Sequence, residues 1–91
     1  MTDADVERRL AALPEWRREG DELVRTFECG TFDGSLRFVN AVGAIANELD
    51  HHPDIEISWG TVRMRLSSHD ADTITERDFA LAARIDESFA R

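Results

Sequence analysis

The strongest constraint on the fold is a hairpin pattern in the second half of the chain. Ile55, Ile57 and Trp59 alternate with polar residues. After Gly60 the alternation resumes and runs through residues 62–66. A side-chain period of two is that of a strand with one buried face, and a glycine between two such strands predicts an antiparallel hairpin.

A second hairpin and a long helix are predicted ahead of it. Residues 15–19 and 23–29 form two short strand patterns around a turn at Gly20. Residues 32–49 follow a helical apolar period, and Thr31 is a suitable N-cap for that helix. A helix of this length connects the two hairpins.

Helices are also predicted at both ends of the chain. Thr2 can cap a first helix that Pro14 ends. The segment Thr73–Glu76 has the pattern of a capping box, so the last helix is expected to begin there. The order α-β-β-α-β-β-α predicts an α+β domain in which helices pack on one face of a four-stranded antiparallel sheet.

Length and charge exclude several classes of protein. The 91 residues are enough for a single domain, 1–91, with one modest core. The net charge is −8 and there is no basic run, which argues against binding nucleic acid or an anionic membrane. The single cysteine, Cys29, excludes an internal disulfide and a cysteine zinc cluster. With neither a membrane-spanning segment nor a signal peptide in the sequence, a cytoplasmic location is expected.

The three histidines are the best candidates for chemistry. His51 and His52 follow the long helix, and His69 follows the last strand. If the hairpin turns about Gly60-Thr61, His52 lies opposite His69, and all three imidazoles gather at one edge of the sheet. Histidine exchanges protons near neutral pH, so this cluster predicts general acid–base catalysis.

Simpler readings of the same residues stay open. The histidines could be ordinary solvated side chains, or ligands of a zinc or iron site, although no H-x-H or H-x-x-x-H spacing is present. Trp59 could belong to the core, a subunit contact or a stacking wall for a flat ligand. Asp78 could do no more than place a negative charge in the first turn of its helix.

Four motifs together resemble the pterin-4a-carbinolamine dehydratases. They are Leu49–Pro53 (LDHHP), the aromatic Trp59, Ser67–His69 (S-x-H) and Glu76–Asp78 (ERD). The resemblance runs from about residue 16 to the C-terminus. It implies the dehydration of 4a-hydroxytetrahydropterin to quinonoid dihydropterin, a step in recycling the cofactor of aromatic amino acid hydroxylases.

The resemblance also implies partners and cofactors. Members of this family are small α+β proteins that form homodimers or homotetramers through strand and helix contacts. They act on a pterin substrate, and no metal or organic cofactor is expected. Some members also bind transcription regulators as dimerisation cofactors, so a non-catalytic partner-binding module is the alternative function.

The family's site residues carry over onto named positions here. His51 and His69 become the acid–base pair, and His52 is chiefly a pterin-binding residue. The residues expected to line the pterin are Asp50, His51, His52, Ser67, Ser68, His69 and Asp70. The residues expected to support the site are Asn47, Trp59 and Asp78.

The sequence departs from the family pattern at two places. Asn47 stands where members commonly carry an acidic residue, four positions before the first histidine. Glu48 is next to it but about 100° around the helix, so it is no simple substitute. Asp54-Ile55 stands where members often have Glu-Trp. The first change is expected to affect substrate binding or proton relay, and the second to affect packing.

Overall fold

The computed structural model describes all 91 residues and confirms the predicted fold class and element order. Three helices and four strands follow the chain. They are α1 (Asp3–Leu10), β1 (Arg17–Glu19), β2 (Glu22–Glu28), α2 (Phe32–Leu49), β3 (Asp54–Ser58), β4 (Thr61–Leu66) and α3 (Glu76–Phe89). None of the helices combines the length and apolarity that crossing a membrane requires.

The four strands form one antiparallel sheet in the order β1-β2-β4-β3. Leu23 pairs with Leu66, and Phe27 pairs with Val62, so these apolar side chains share one face. The three helices cover that face and complete a single core. Buried helix residues that contribute to it are Val6, Phe38, Val42, Phe79, Leu81, Ala82 and Ile85. Both β1 and β3 are edge strands, which leaves one side of β3 unpaired.

The β3–β4 turn differs from the sequence prediction. Ser58 pairs with Thr61, so Trp59 and Gly60 form the turn, and the predicted turn at Gly60-Thr61 is wrong by one residue. The register therefore slips by two residues. Gly60 is required at the turn because a Cβ there would lie 2.8 Å from the carbonyl oxygen of Gly30. Trp59 leaves the strand with a φ of 51° and is 72% exposed.

The start of α3 also differs from the prediction. Its N-cap is Thr75, and the capping box joins Thr75 to Asp78 rather than Thr73 to Glu76. Thr73 cannot act as the cap because its carbonyl accepts the Ser68 N–H, at 2.9 Å, in an isolated β-bridge. The T-x-x-D pattern two residues later, Thr75 to Asp78, forms the capping box instead.

The first helix and the first strand are shorter than predicted. Helix α1 ends at Leu10, and β1 begins at Arg17 instead of residue 15. The residues between them form two turns, closed by bonds from Leu13 N–H to Leu10 and from Trp16 N–H to Leu13. These turns direct the Trp16 side chain into the core, where its Nε1 donates to Asp86 of α3 at 2.8 Å.

Candidate active site

The C-terminal end of α2 separates two adjacent histidines. Asp50 ends the helix in the left-handed conformation, with a φ of 51°. The next N–H, that of His51, donates back to the carbonyl of Ala46 at 3.1 Å. The chain therefore turns sharply beneath the helix. His51 is buried, with 9% of its surface exposed, whereas His52 faces solvent.

His51 is held by a buried carboxylate from α3. Its Nε2 lies 2.6 Å from Oδ1 of Asp78, a residue with no exposed surface. The other oxygen, Oδ2, accepts the Ser68 hydroxyl at 3.0 Å and the Thr75 N–H at 2.9 Å. A buried carboxylate is tolerated only when its oxygens are paired in this way. Asp78 therefore does more than place a charge in the first turn of a helix.

The contact with Asp78 defines which nitrogen of His51 is available. A carboxylate only accepts, so Nε2 carries the proton that joins the two groups. Nδ1 has no hydrogen bond within the protein, and it is not enclosed by protein atoms. Nδ1 is therefore the nitrogen open to a bound molecule. An imidazole anchored at one nitrogen and open at the other can donate or accept a proton there.

His52 has a different partner. Its Nε2 lies 3.0 Å from Oδ1 of Asn47, in an exposed setting. An amide oxygen is an acceptor, so it orients the His52 ring without adding a negative charge. Asn47, the neutral residue where family members commonly carry an acidic one, is thus a direct neighbour of His52. The sequence alone identified Asn47 as a departure from the family pattern, but not this contact.

His69 lies on a short loop after β4. The Ser68–Thr73 bridge closes that loop, and His69 and Asp70 are exposed at its tip. Asp70 forms an ion pair with Arg77 at 2.6 Å, and the guanidinium lowers the pKa of that carboxyl. Ser68, the residue before His69, bonds to the same carboxylate that holds His51, so the loop borders the buried histidine.

The structure brings together most, but not all, of the predicted site residues. His51, Ser68 and Asp78 share one hydrogen-bond network, and the exposed loop carrying His69 and Asp70 borders it. Asp50 and His52 lie on the same helix end, and half-buried Ser67 follows β4 directly. No hydrogen bond joins His69 to either of the other histidines. No group of three potential metal ligands is arranged around a common point.

Trp59 is far from the histidines within one chain. It stacks on Phe32, with ring centroids 6.0 Å apart and an interplanar angle of 22°. Phe32 is the first residue of α2, whereas His51 follows the last. The 18 residues of α2 span about 27 Å at 1.5 Å per residue, so the two positions lie at opposite ends of the helix.

One member of the network was not predicted as a site residue. Thr75 donates its backbone N–H to Asp78, and its hydroxyl oxygen lies 2.6 Å from that of Ser68. The sequence signal was present, because Thr75–Asp78 is itself a T-x-x-D capping pattern. That pattern shows that Asp78 faces its own N-cap, but it does not show that the second carboxylate oxygen reaches a histidine.

A buried carboxylate–histidine pair near a second, exposed histidine is an arrangement that can transfer protons, here on a small α+β domain. Comparisons with known proteins identify the family of the domain. The sequence profile of the family described as pterin 4 alpha carbinolamine dehydratase matches residues 1–88. A protein of Chloroflexus aurantiacus is 45% identical over 87 residues, which cover 96% of this chain and 94% of its own. One of Natronomonas pharaonis is 44% identical over 87 residues, covering 96% and 92%. Each of these two relatives carries the name pterin-4-alpha-carbinolamine dehydratase as a provisional name.

Two solved structures have a similar fold. A Brucella melitensis protein described as a transcriptional coactivator/pterin dehydratase superposes with a TM-score of 0.92 over 97% of this chain and 96% of its own, at 24% identity. A pterin dehydratase-like protein, described as a RuBisCO assembly factor in the alpha-carboxysome, gives a TM-score of 0.71 at 27% identity, over 82% and 89%. The chain belongs to the pterin-4a-carbinolamine dehydratase family, a family of hydro-lyases.

Proposed function

We propose that this protein dehydrates 4a-hydroxytetrahydropterin to quinonoid dihydropterin, with His51 and His69 as the acid–base pair. The observation that carries the proposal is the buried contact between His51 and Asp78, which leaves Nδ1 of His51 open to a bound molecule. Membership of the family supplies the pterin as the substrate class.

The reaction needs two proton transfers. The bond from C4a to the hydroxyl breaks, the lone pair of N5 forms a double bond to C4a, and N5 loses its proton. We assign that proton to Nδ1 of His51, because the Asp78 carboxylate stabilises the positive charge that then develops on the ring. An imidazolium at His69 protonates the departing hydroxyl, which leaves as water. One proton is taken up and one is given, so only a transfer between the two histidines through solvent is needed before the next turnover.

The exposed polar groups around the histidines are proposed to bind the pterin. His52, Asp50 and Asp70 all reach the surface, and hydrogen bonds from such groups suit the polar edge of a pterin ring. His52 is oriented by the amide of Asn47 rather than by a carboxylate, and we assign it a hydrogen-bonding role toward the pterin. Ser68 differs from these residues, since it is buried and its hydroxyl is already bonded to Asp78.

A coupled dehydration assay tests this function. A pterin-dependent hydroxylase generates the 4a-hydroxy intermediate, and its decay is followed with and without the protein. Faster decay with the wild type is expected, and in the His52→Ala variant KM should rise much more than kcat falls. Decay at the spontaneous rate in the presence of folded wild-type protein would exclude the proposed activity.

The protein is also proposed to form a homodimer or homotetramer. One side of β3 is unpaired, and an edge strand readily pairs with another chain. Trp59, directly after β3, and Phe32 and Leu36 of α2 are large exposed apolar residues near this edge. Light scattering should therefore give a mass at least twice that of the chain, and Trp59→Ser combined with Leu36→Ser should lower it. A wild-type monomer would contradict the assembly.

The alternative function is a partner-binding module without catalysis. The same exposed residues favour it, and the related carboxysomal protein is described as an assembly factor. The two functions predict opposite results for the same variants. Substitution of the histidines would leave binding of a partner intact, whereas the Trp59 and Leu36 substitutions would remove it.

A further inference from the structure

A chain of hydroxyl groups lies behind the carboxylate that holds His51. Ser68 has no exposed surface, and its Oγ lies 3.0 Å from Oδ2 of Asp78 and 2.6 Å from Oγ1 of Thr75. Oγ1 of Thr75 in turn accepts the backbone N–H of Arg77 at 3.3 Å. The Ser68 hydroxyl takes no part in capping α3, because the capping box is formed by Thr75 and Asp78 alone.

The direction of this chain follows from its chemistry. A carboxylate only accepts, so the single proton of the Ser68 hydroxyl is donated to Asp78. Ser68 then has only lone pairs to offer Thr75, and the Thr75 hydroxyl must donate to Ser68. Each bond polarises the next one in the direction of the carboxylate. Oδ2 is thereby occupied by two donors, which leaves Oδ1 for His51.

We propose that Ser68, assisted by Thr75, is a positioning residue that keeps His51 in one tautomer by fixing the orientation of the Asp78 carboxylate. The terminal torsion of aspartate is broad, so a carboxylate held at one oxygen by a single N–H can rotate. Rotation would weaken the contact with Nε2 and allow the ring proton to move to Nδ1. Nδ1 would then be unable to accept a proton. This inference rests on the proposed catalytic role of His51, but the orientation of the ring can be measured without any activity.

The test compares three serine variants by NMR of the histidine ring nitrogens. In the wild type, His51 is expected as the Nε2–H tautomer, with Nδ1 unprotonated. Ser68→Ala should shift a substantial fraction of His51 to the Nδ1–H form and lower kcat about tenfold with little change in KM. Ser68→Thr keeps the hydroxyl and should restore the wild-type spectrum and rate.

Ser35→Ala is the matched control. Ser35 is equally buried, and its hydroxyl bonds to the carbonyls of Trp59 at 2.7 Å and Thr31 at 3.1 Å, at the other end of α2. The Ser35→Ala variant should lose about as much stability as Ser68→Ala, but its His51 signals should not change. An unchanged His51 tautomer in Ser68→Ala would refute the proposal, and so would an equal shift in Ser35→Ala. A tautomer shift in a protein that has no dehydratase activity would support the positioning role and refute the proposed function instead.

Discussion

Replacing Asp78 by alanine removes the acceptor on which three buried or half-buried donors converge. These donors are Nε2 of His51, the hydroxyl of Ser68 and the backbone N–H of Thr75. Alanine fits the helix and needs no extra space, so the change tests the hydrogen bonds rather than the packing. The predicted results are a large loss of stability and a loss of the defined orientation of His51.

The size of the loss follows from the number of donors left unpaired. A buried donor without a partner costs about 1–3 kcal/mol. Hydrogen bonds to a charged group contribute about 1.5–3 kcal/mol each, and Asp78 accepts three of them. Some of the donors can rotate toward each other, so we expect the free energy of unfolding to fall by about 3–5 kcal/mol. A domain of this size has roughly 5–14 kcal/mol in total, so the variant should remain folded but only marginally stable.

Urea unfolding followed by circular dichroism measures this loss, and Glu76→Ala is the control. Glu76 lies in the first turn of the same helix and pairs with Arg9, but its side chain is 69% exposed. An exposed ion pair contributes at most about 1 kcal/mol. If Asp78→Ala costs no more than Glu76→Ala, then Asp78 is only a favourable charge at a helix start, and the account of the site is wrong.

Three other predictions concern the rest of the chain. The backbone N–H of Thr2 and the side chain of Arg8 lower the pKa of Asp5 to about 2. The stability that ionised Asp5 contributes is therefore complete above about pH 4 and is lost as the pH falls toward 2, and Asp5→Asn should remove this pH dependence from thermal unfolding curves. Burial raises the pKa of the Cys29 thiol, so reaction with a thiol reagent at pH 8 should be slow in the native protein and fast in urea. Gly60→Ala should destabilise the protein by about 1–3 kcal/mol, because a Cβ would lie 2.8 Å from the carbonyl oxygen of Gly30. Gly43→Ala is the control: a Cβ there meets no atom within 4 Å, so this substitution should be neutral or stabilising.

The elements of the fold could be predicted from the sequence because local patterns determine them. Helix α2 begins and ends where its cap and apolar period place it, at Phe32 and Leu49. The β3–β4 turn could not be placed in this way. Its position depends on the approach of Gly60 to Gly30, a contact between segments that are distant in sequence. A shift of one residue in the turn changes the register by two.

The candidate site was predictable in its residue types but not in its geometry. The cluster of three histidines was expected from strand pairing, yet His51 and His52 face opposite environments because Asp50 adopts a left-handed conformation. No local pattern shows that Asp78, 27 residues away, reaches His51. Trp59 is one of the four motifs that carry the family resemblance, but within one chain it lies at the other end of α2 from the histidines.

The central claim is that His51 and His69 transfer the two protons of the dehydration. The most direct measurement is the stopped-flow decay of 4a-hydroxytetrahydropterin with wild type, His51→Ala, His69→Ala and the double variant, each checked for native circular dichroism. The account predicts that each single substitution lowers kcat at least tenfold. It also predicts that the double variant is little slower than the worse of the two, because the histidines act as a unit and each supplies one of the two proton transfers that a turnover needs. Full activity in either folded single variant would contradict the account.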